Sequence, residues 1–207
     1  MTDKPPETCA DKKERRRLLR EFLRSDCDER LFRHPTCHPS RPTGFCHCDG
    51  SPFGAIRFYI KAIFLILAFK MPYNWIKVKA LRMCGAKVGR HVYFSAGAWV
   101  DPMFPQLITI EDDVFFGVDA KIFTHEFRID EFRAGRVVIR RGAFIGGMAV
   151  IACGVEIGED AVVSACAPVA RDVPAGATVV ARPPRIVKRS DDEVSAPEEA
   201  IDDERQL

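Results

Sequence analysis

The stretch VVIRRGAFIGGMAVIACGVEIGEDAVVSACAPV, residues 137–169, places a branched apolar residue at every sixth position: Ile139, Ile145, Ile151, Ile157, Val163 and Val169. Two positions before each stands another apolar residue: Val137, Ala143, Ala149, Val155, Ala161 and Ala167. The position just after is often small, as at Gly146, Ala152, Gly158, Ser164 and Ala170. Residues i and i−2 of a strand share one face. A short strand that buries one branched and one small residue, then turns at a small one, accounts for the spacing. Three such strands close a triangular coil of about 18 residues, and successive coils stack. A helix would repeat its apolar stripe at three and four instead.

Working outward, the same register holds at Val88, Phe94 and Val100, and again at Ile110, Phe116 and Ile122. It breaks twice. Ten residues separate Val100 from Ile110, and seventeen separate Ile122 from Ile139. The second break predicts a loop, Glu126–Arg136, thrown out of the coil, and such excursions from a rigid scaffold commonly carry function. The expected fold is mainly β: a parallel β-helix of hexapeptide repeats of about four coils, with an N-terminal helical extension.

These residues resemble the hexapeptide-repeat acyltransferases, and among them the maltose and galactoside type of sugar O-acetyltransferase. The resemblance implies a left-handed parallel β-helix over residues 86–189. Thr124-His125-Glu126 resembles the stretch in which those enzymes carry their catalytic base, so it implies that role for His125. Asp172-Val173-Pro174-Ala175-Gly176 followed by Ala181-Arg182-Pro183-Pro184-Arg185-Ile186-Val187-Lys188-Arg189 resembles the ending that grips coenzyme A. By matching position it implies backbone contacts from Gly147 and Ala165 to pantetheine, and phosphate contacts from Arg185 and Lys188. For the acceptor it implies Ser95 and Asp101. Glu126 and Glu131 are the candidates to orient His125. The co-substrate implied is acetyl-CoA, with no metal required, and the assembly implied is a homotrimer acting on a small-molecule or glycan hydroxyl. The chemistry asks only for a held thioester, exclusion of water and removal of one proton, which a neutral imidazole can take. Two other readings stay open: a non-catalytic β-helix scaffold, and a zinc carbonic anhydrase-like enzyme, for which the coils supply only His91 and His125.

The chain has 207 residues, 47% hydrophobic and 29% charged, which excludes wholesale disorder. Its net charge of +2 conceals segregation. Residues 190–207 hold eight acids against one base and are expected as an acidic disordered tail. Residues 50–100 hold eight Lys or Arg and no acid. Residues 11–24 read as a basic amphipathic helix with Leu18, Leu19, Phe22 and Leu23 as its apolar stripe. Residues 34–54, with four Pro and three Gly, are expected to form no regular element. Phe53–Phe69 is strongly apolar but carries Arg57 and Lys61, too polar to span a bilayer well. Pro72 is expected to end it. The basic apolar segment 51–85 is therefore expected either to pack on the β-helix or to touch a membrane surface. The polar extension 1–50 contains Cys27, His34, Cys37, His38, Cys46, His47 and Cys48, enough ligands for zinc but in no standard spacing. No secretory leader is expected, and no nucleic-acid partner. The expected location is the cytoplasm, with the membrane periphery as the second site.

Overall fold

The computed structural model describes residues 9–25, 30–35, 52–128 and 131–182. Helix α1 (Cys9–Arg24) is followed by strand β1 (Leu31–Pro35), then by α2 (Pro52–Lys70) and α3 (Asn74–Met83). The chain then enters a left-handed parallel β-helix whose strands are only two or three residues long. The first coil is β2 (Lys87–Val88), β3 (Tyr93–Phe94) and β4 (Trp99–Val100), and the second is β5 (Ile108–Ile110), β6 (Phe115–Phe116) and β7 (Lys121–Ile122). A hairpin follows, β8 (His125–Phe127) and β9 (Glu131–Gly135). The third coil is β10 (Val137–Ile139), β11 (Phe144–Ile145) and β12 (Val150–Ile151), and the fourth is β13 (Glu156–Ile157), β14 (Val162–Val163) and β15 (Pro168–Val169). A single bridge from Val173 to Ile157 and strand β16 (Thr178–Val179) begin a fifth.

The strands stack into three parallel sheets. The first face runs β13-β10-β5-β2, the second β16-β14-β11-β6-β3 and the third β15-β12-β7-β4. The hexapeptide register is what closes this prism. Ile110, Ile139 and Ile157 point inward from the first face, Phe94, Phe116, Ile145 and Val163 from the second, and Val100, Ile122, Ile151 and Val169 from the third, and all are buried. The alanine column fills the space beside them, with Ala98, Ala120, Ala149 and Ala167 buried on the third face. Each fully buried branched or aromatic side chain contributes about 1.5–3 kcal/mol relative to exposure.

On the second face, the glycines after Phe116 and Ile145 are demanded by the next coil. A Cβ built on Gly117 would lie 2.4 Å from the Gly147 nitrogen, and one on Gly146 would lie 2.5 Å from the Ala165 nitrogen. Backbone at that range leaves no room for a side chain.

The first coil would expose an unpaired sheet edge, and α2 and α3 cover it. Leu65 and Phe69 of α2 join the coil core, with Phe69 edge-on to Phe94 at 5.3 Å. From α3, the Asn74 side-chain amide donates to the Val92 carbonyl and accepts from the Phe94 N–H, at 2.8 and 2.9 Å. The buried Lys77 ammonium donates to the carbonyls of Phe94 and Ser95 at 3.1 and 3.0 Å, and its desolvation lowers its pKa from the usual lysine value.

Three expectations are corrected. Glu126–Arg136 is not an irregular loop: β8 and β9 pair antiparallel, and β1 adds the third strand in the order β1-β9-β8. Thus the extension 34–54 begins inside a strand, at His34 and Pro35, and ends inside α2. Strand β1 gains its ladder from β9, a partner about a hundred residues away that local composition does not reveal. Finally, Leu18 is 37% exposed, while Leu19 and Phe22 are buried against Phe104, Leu107 and Phe132. The N-terminal segment is also held by charge: Arg30 bonds both Asp172 oxygens at 3.1 and 2.6 Å and Glu156 at 3.1 Å.

Candidate active site

Two edges of the prism turn tightly. Where the first face meets the second, His91, Asp113, Gly142, Asp160 and Gly176 have positive φ; where the second meets the third, Gly97, Asp119, Met148 and Cys166 do. The third edge, between the third face and the first, makes such a turn once, at Gly154, and is otherwise different. Both register breaks leave there, as residues 101–107 after β4 and as the β8–β9 hairpin after β7.

Asp101 and His125 come from these two departures. Asp101 is fully buried at 0% exposure. Its Oδ1 accepts the Met103 N–H at 2.9 Å. Its Oδ2 accepts the Thr124 N–H at 3.0 Å, the Thr124 hydroxyl at 2.6 Å and a short hydrogen bond from His125 Nδ1. Burial by itself would push the Asp101 carboxyl up. The hydrogen bond and charge of His125, then the Thr124 hydroxyl and the Met103 N–H, outweigh it and hold the carboxyl below the usual aspartate value. An ionised carboxylate only accepts, so Nδ1 carries the proton. In the neutral ring Nε2 is then the atom with a free lone pair. Phe104, Phe127 and Phe132 surround the imidazole at centroid distances of 6.0, 5.4 and 6.3 Å.

The site residues read from sequence are distributed as follows. Asp101 stands with His125, but its oxygens are spent on the ring and on the chain, so it presents nothing to an acceptor. Ser95 is buried on the edge between the second and third faces, and its carbonyl takes the Lys77 ammonium. It is therefore not brought to His125 within the chain. Gly147 and Ala165 lie on that same edge, one coil apart. The Gly147 carbonyl accepts the Cys166 N–H at 2.9 Å, and a Cβ on Gly147 would crowd the Val118 carbonyl oxygen at 3.1 Å. Arg185 and Lys188 lie outside the described residues, as do the acidic tail and the side chains of the Cys/His cluster in the extension.

Neither Glu126 nor Glu131 orients His125. Glu131 is engaged by Arg133 and Arg128, and Glu126 by Arg128. The resemblance implies an acceptor contact for Asp101, whereas its carboxylate meets His125 and Thr124. The signal was in the coil count: Asp101 follows Val100 as Phe123 follows Ile122, and Val100 pairs with Ile122, so Asp101 lies directly beside the Phe123-Thr124-His125 turn.

Two other groups are disposed of by their surroundings. Cys153 lies beneath this turn, and burial, followed by the charge of Glu126, pushes its thiol up to about 11. A thiol in that state is a poor nucleophile near neutrality. His91 is on another edge, bonded to Asp113 at 2.9 Å. Among the described residues no three His, Cys, Asp or Glu side chains are grouped to hold a metal ion.

The chain is similar to known proteins over part of its length. No family model matches the chain. A Bacillus subtilis (strain 168) protein named "Putative acetyltransferase YvoF" is 39% identical over 114 residues, 55% of this chain. The match spans 64% of that relative's length, a little under two thirds. Among solved structures, a hexapeptide-repeat acetyltransferase of Vibrio cholerae complexed with acetyl coenzyme A is similar at 22% identity and a TM-score of 0.49, over 70% of this chain and 93% of its own. A maltose O-acetyltransferase of Clostridium difficile 630 is similar at 19% identity and a TM-score of 0.47, over 66% of this chain and 88% of its own.

Proposed function

We propose that the protein is a coenzyme-A-dependent O-acyltransferase that moves an acetyl group to a sugar or polysaccharide hydroxyl. The observation that carries this reading is the His125–Asp101 pair, a ring held by a buried carboxylate with Nε2 left to accept a proton. Acetyl-CoA, when bound, supplies an acetyl group already activated as a thioester. His125 Nε2 takes the proton of the attacking acceptor hydroxyl and returns it to the departing sulfur as the C–S bond breaks. Asp101 fixes the tautomer and steadies the imidazolium that forms in between. The aromatic rings around His125 restrict water at the proton-transfer atom.

The donor fits a bare lane on the edge between the second and third faces. Gly147 has no side chain and Ala165 only a methyl, so an extended pantetheine arm can approach the backbone there. Arg185 and Lys188 are proposed to reach its phosphates. This lane and His125 stand on opposite edges of the third face. One copy of the chain therefore offers the donor and the base in different places, and a neighbouring copy laid alongside unites them. The second face gives such a neighbour apolar surface to cover: Tyr93, Phe115 and Phe144 stack in a ladder at 5.3 and 5.2 Å and are 36–48% exposed. We take the assembly to be a homotrimer.

The test is thiol release from acetyl-CoA across a panel of sugar acceptors, with light scattering on the same sample. Acceptor-dependent release by a trimer supports the reading. A stable monomer, or release that His125→Ala leaves unchanged, refutes it.

A further inference from the structure

Helix α2 is covered on one side only. Ala62, Leu65, Ala68 and Phe69 are buried against the first coil and α3. Ile56, Tyr59, Ile60, Ile63, Phe64 and Leu67 cover the opposite side and are 41–63% exposed. At 100° per residue these six fall within a continuous sector somewhat under half the helix circumference. A contiguous exposed apolar surface of this kind marks a contact with a partner or a membrane. No described helix is long and apolar enough to cross a bilayer.

A basic cavity adjoins the apolar sector. Arg57 and Lys61, one helical turn apart, stand between the exposed and the buried sides of α2. They line a cavity of about 310 Å³ together with Arg20 and Arg24 of α1. The remaining wall is Leu23, Phe58, Cys84 and Gly85 with Pro102, Met103, Pro105 and Gln106. Among the described residues no carboxylate lines it, and Glu14 and Glu21 of α1 are turned to Arg17. Among the described residues four cations thus converge on one cavity without a counter-charge, at the border of an apolar surface. Tyr73 and Trp75, at the start of the next helix, are also exposed, at 61% and 65%. Amphipathic aromatic rings of that type favour the water–lipid boundary.

We infer that α2 lies in the surface of an anionic phospholipid membrane, apolar sector down, with a lipid headgroup phosphate seated among Arg20, Arg24, Arg57 and Lys61. The phosphate chemistry follows from four converging cations, two kinds of which, guanidinium and ammonium, suit phosphate oxygens. The lipid origin follows from position: a headgroup phosphate lies at the depth where an interfacial helix passes from apolar to polar. A protein partner would have to cover the apolar sector and also bring its own acids to the cavity. A single membrane surface supplies both. The inference does not depend on the acyl-transfer reading, because binding is measured without turnover.

The experiment is sedimentation of the full chain with vesicles of phosphatidylcholine alone, and with one third phosphatidylglycerol. Binding is expected to be at least about tenfold tighter to the anionic vesicles and to weaken with salt. Arg57→Gln with Lys61→Gln should reduce anionic binding by about fivefold per charge removed. Lys121→Gln, which removes one charge from the third face, should leave it within about twofold. Ile60→Ser with Leu67→Ser should weaken binding to either vesicle while the melting temperature stays near wild type. Equal binding to both vesicles overturns the inference. So does retention of anionic binding in the Arg57/Lys61 variant. Stabilisation of the protein by inorganic phosphate without any vesicle binding would make the cavity an ion site and overturn the membrane assignment. A change of oligomeric state in the Ile60/Leu67 variant, with no vesicle binding by wild type, would assign the apolar sector to a second copy instead.

Discussion

The two tight edges of the prism and the one open edge are built from the same hexapeptide grammar and put to different uses. At a tight edge the chain must turn onto the next face within the four residues between strands, and it takes a positive φ there, at Asp113, Asp119 and Asp160 and at Gly97 and Gly142. At the open edge the chain departs for seven residues after Val100 and for fourteen after Ile122, before β5 and β10 resume the repeat. Those departures place a buried carboxylate under an imidazole. Sequence economy thus goes to the tight edges, and the proposed chemistry to the edge that abandons it. The comparison teaches that it is the register breaks, not the register, that bring Asp101 and His125 together.

Substitutions can break this division of labour. The largest expected effect is at the open edge. His125→Ala should lower acyl-transfer turnover by about 10²–10⁴ while the melting temperature barely moves, because the ring is not part of the coil core. Asp101→Asn should lower turnover too, and its signature separates positioning from packing: the pH–rate profile should change shape, since an amide no longer fixes which ring nitrogen carries the proton. An unchanged profile with a lower melting temperature would mean that Asp101 serves stability alone.

Next comes a change in the stacking beside a tight edge. Gly117→Ala forces a methyl onto the Gly147 backbone and should cost about 2–4 kcal/mol, read as a shift of the denaturation midpoint. If the cost is below about 1 kcal/mol, the coils are less closely spaced than the structure has them.

A smaller effect is expected from acid. Asp101 titrates below the usual aspartate value in the folded protein. Its contribution is therefore present above the unfolded-state value and is lost as pH falls through the lowered folded one. Asp172, held low first by its hydrogen bond to Arg30, behaves in the same sense at the N-terminal segment. Denaturation midpoints measured from pH 6 down to about pH 3 should fall, and the fall should be shallower in Asp101→Asn. Equal slopes would show that the pair does not report on acid stability.

The smallest effect tests the tight edge from its tolerant side. Gly176 has φ +68° and nothing within 4 Å of its would-be Cβ. Gly176→Asn should cost less than about 1 kcal/mol, because asparagine accepts the left-handed region. Gly176→Val should cost more, since a branched residue does not.

The coils were legible because burial imposes a rhythm on the chain. The inward positions from Ile139 to Val169 can be counted from a single seed at Ile139, and those of the first two coils from new seeds at Val88 and Ile110. Both register breaks were legible for the same reason. What filled the second break was not. Phe132 and Ala134 are fully buried, yet their strand is specified by pairing with β1 and by α1 packing over it, and long-range pairing leaves no periodic trace. His125, the proposed base, stands where the second break opens after Ile122. Its partner could not be read locally, because Asp101 is 24 residues away along the chain and only the stacking of coils brings the two together.

The cap formed by α3 has a consequence for how the molecule assembles itself. Coils that look alike can pair one step out of phase, and a repeat contains no mark that says where counting begins. Asn74 and Lys77 provide one. Both the amide that answers Val92 and Phe94 and the ammonium that answers Phe94 and Ser95 fit only the first rung. The helix therefore acts as the start codon of a physical reading frame. A coil seated against it in the wrong phase leaves a buried ammonium without its carbonyls, so the frame that brings Asp101 to His125 is chosen by the helix that immediately precedes the first coil.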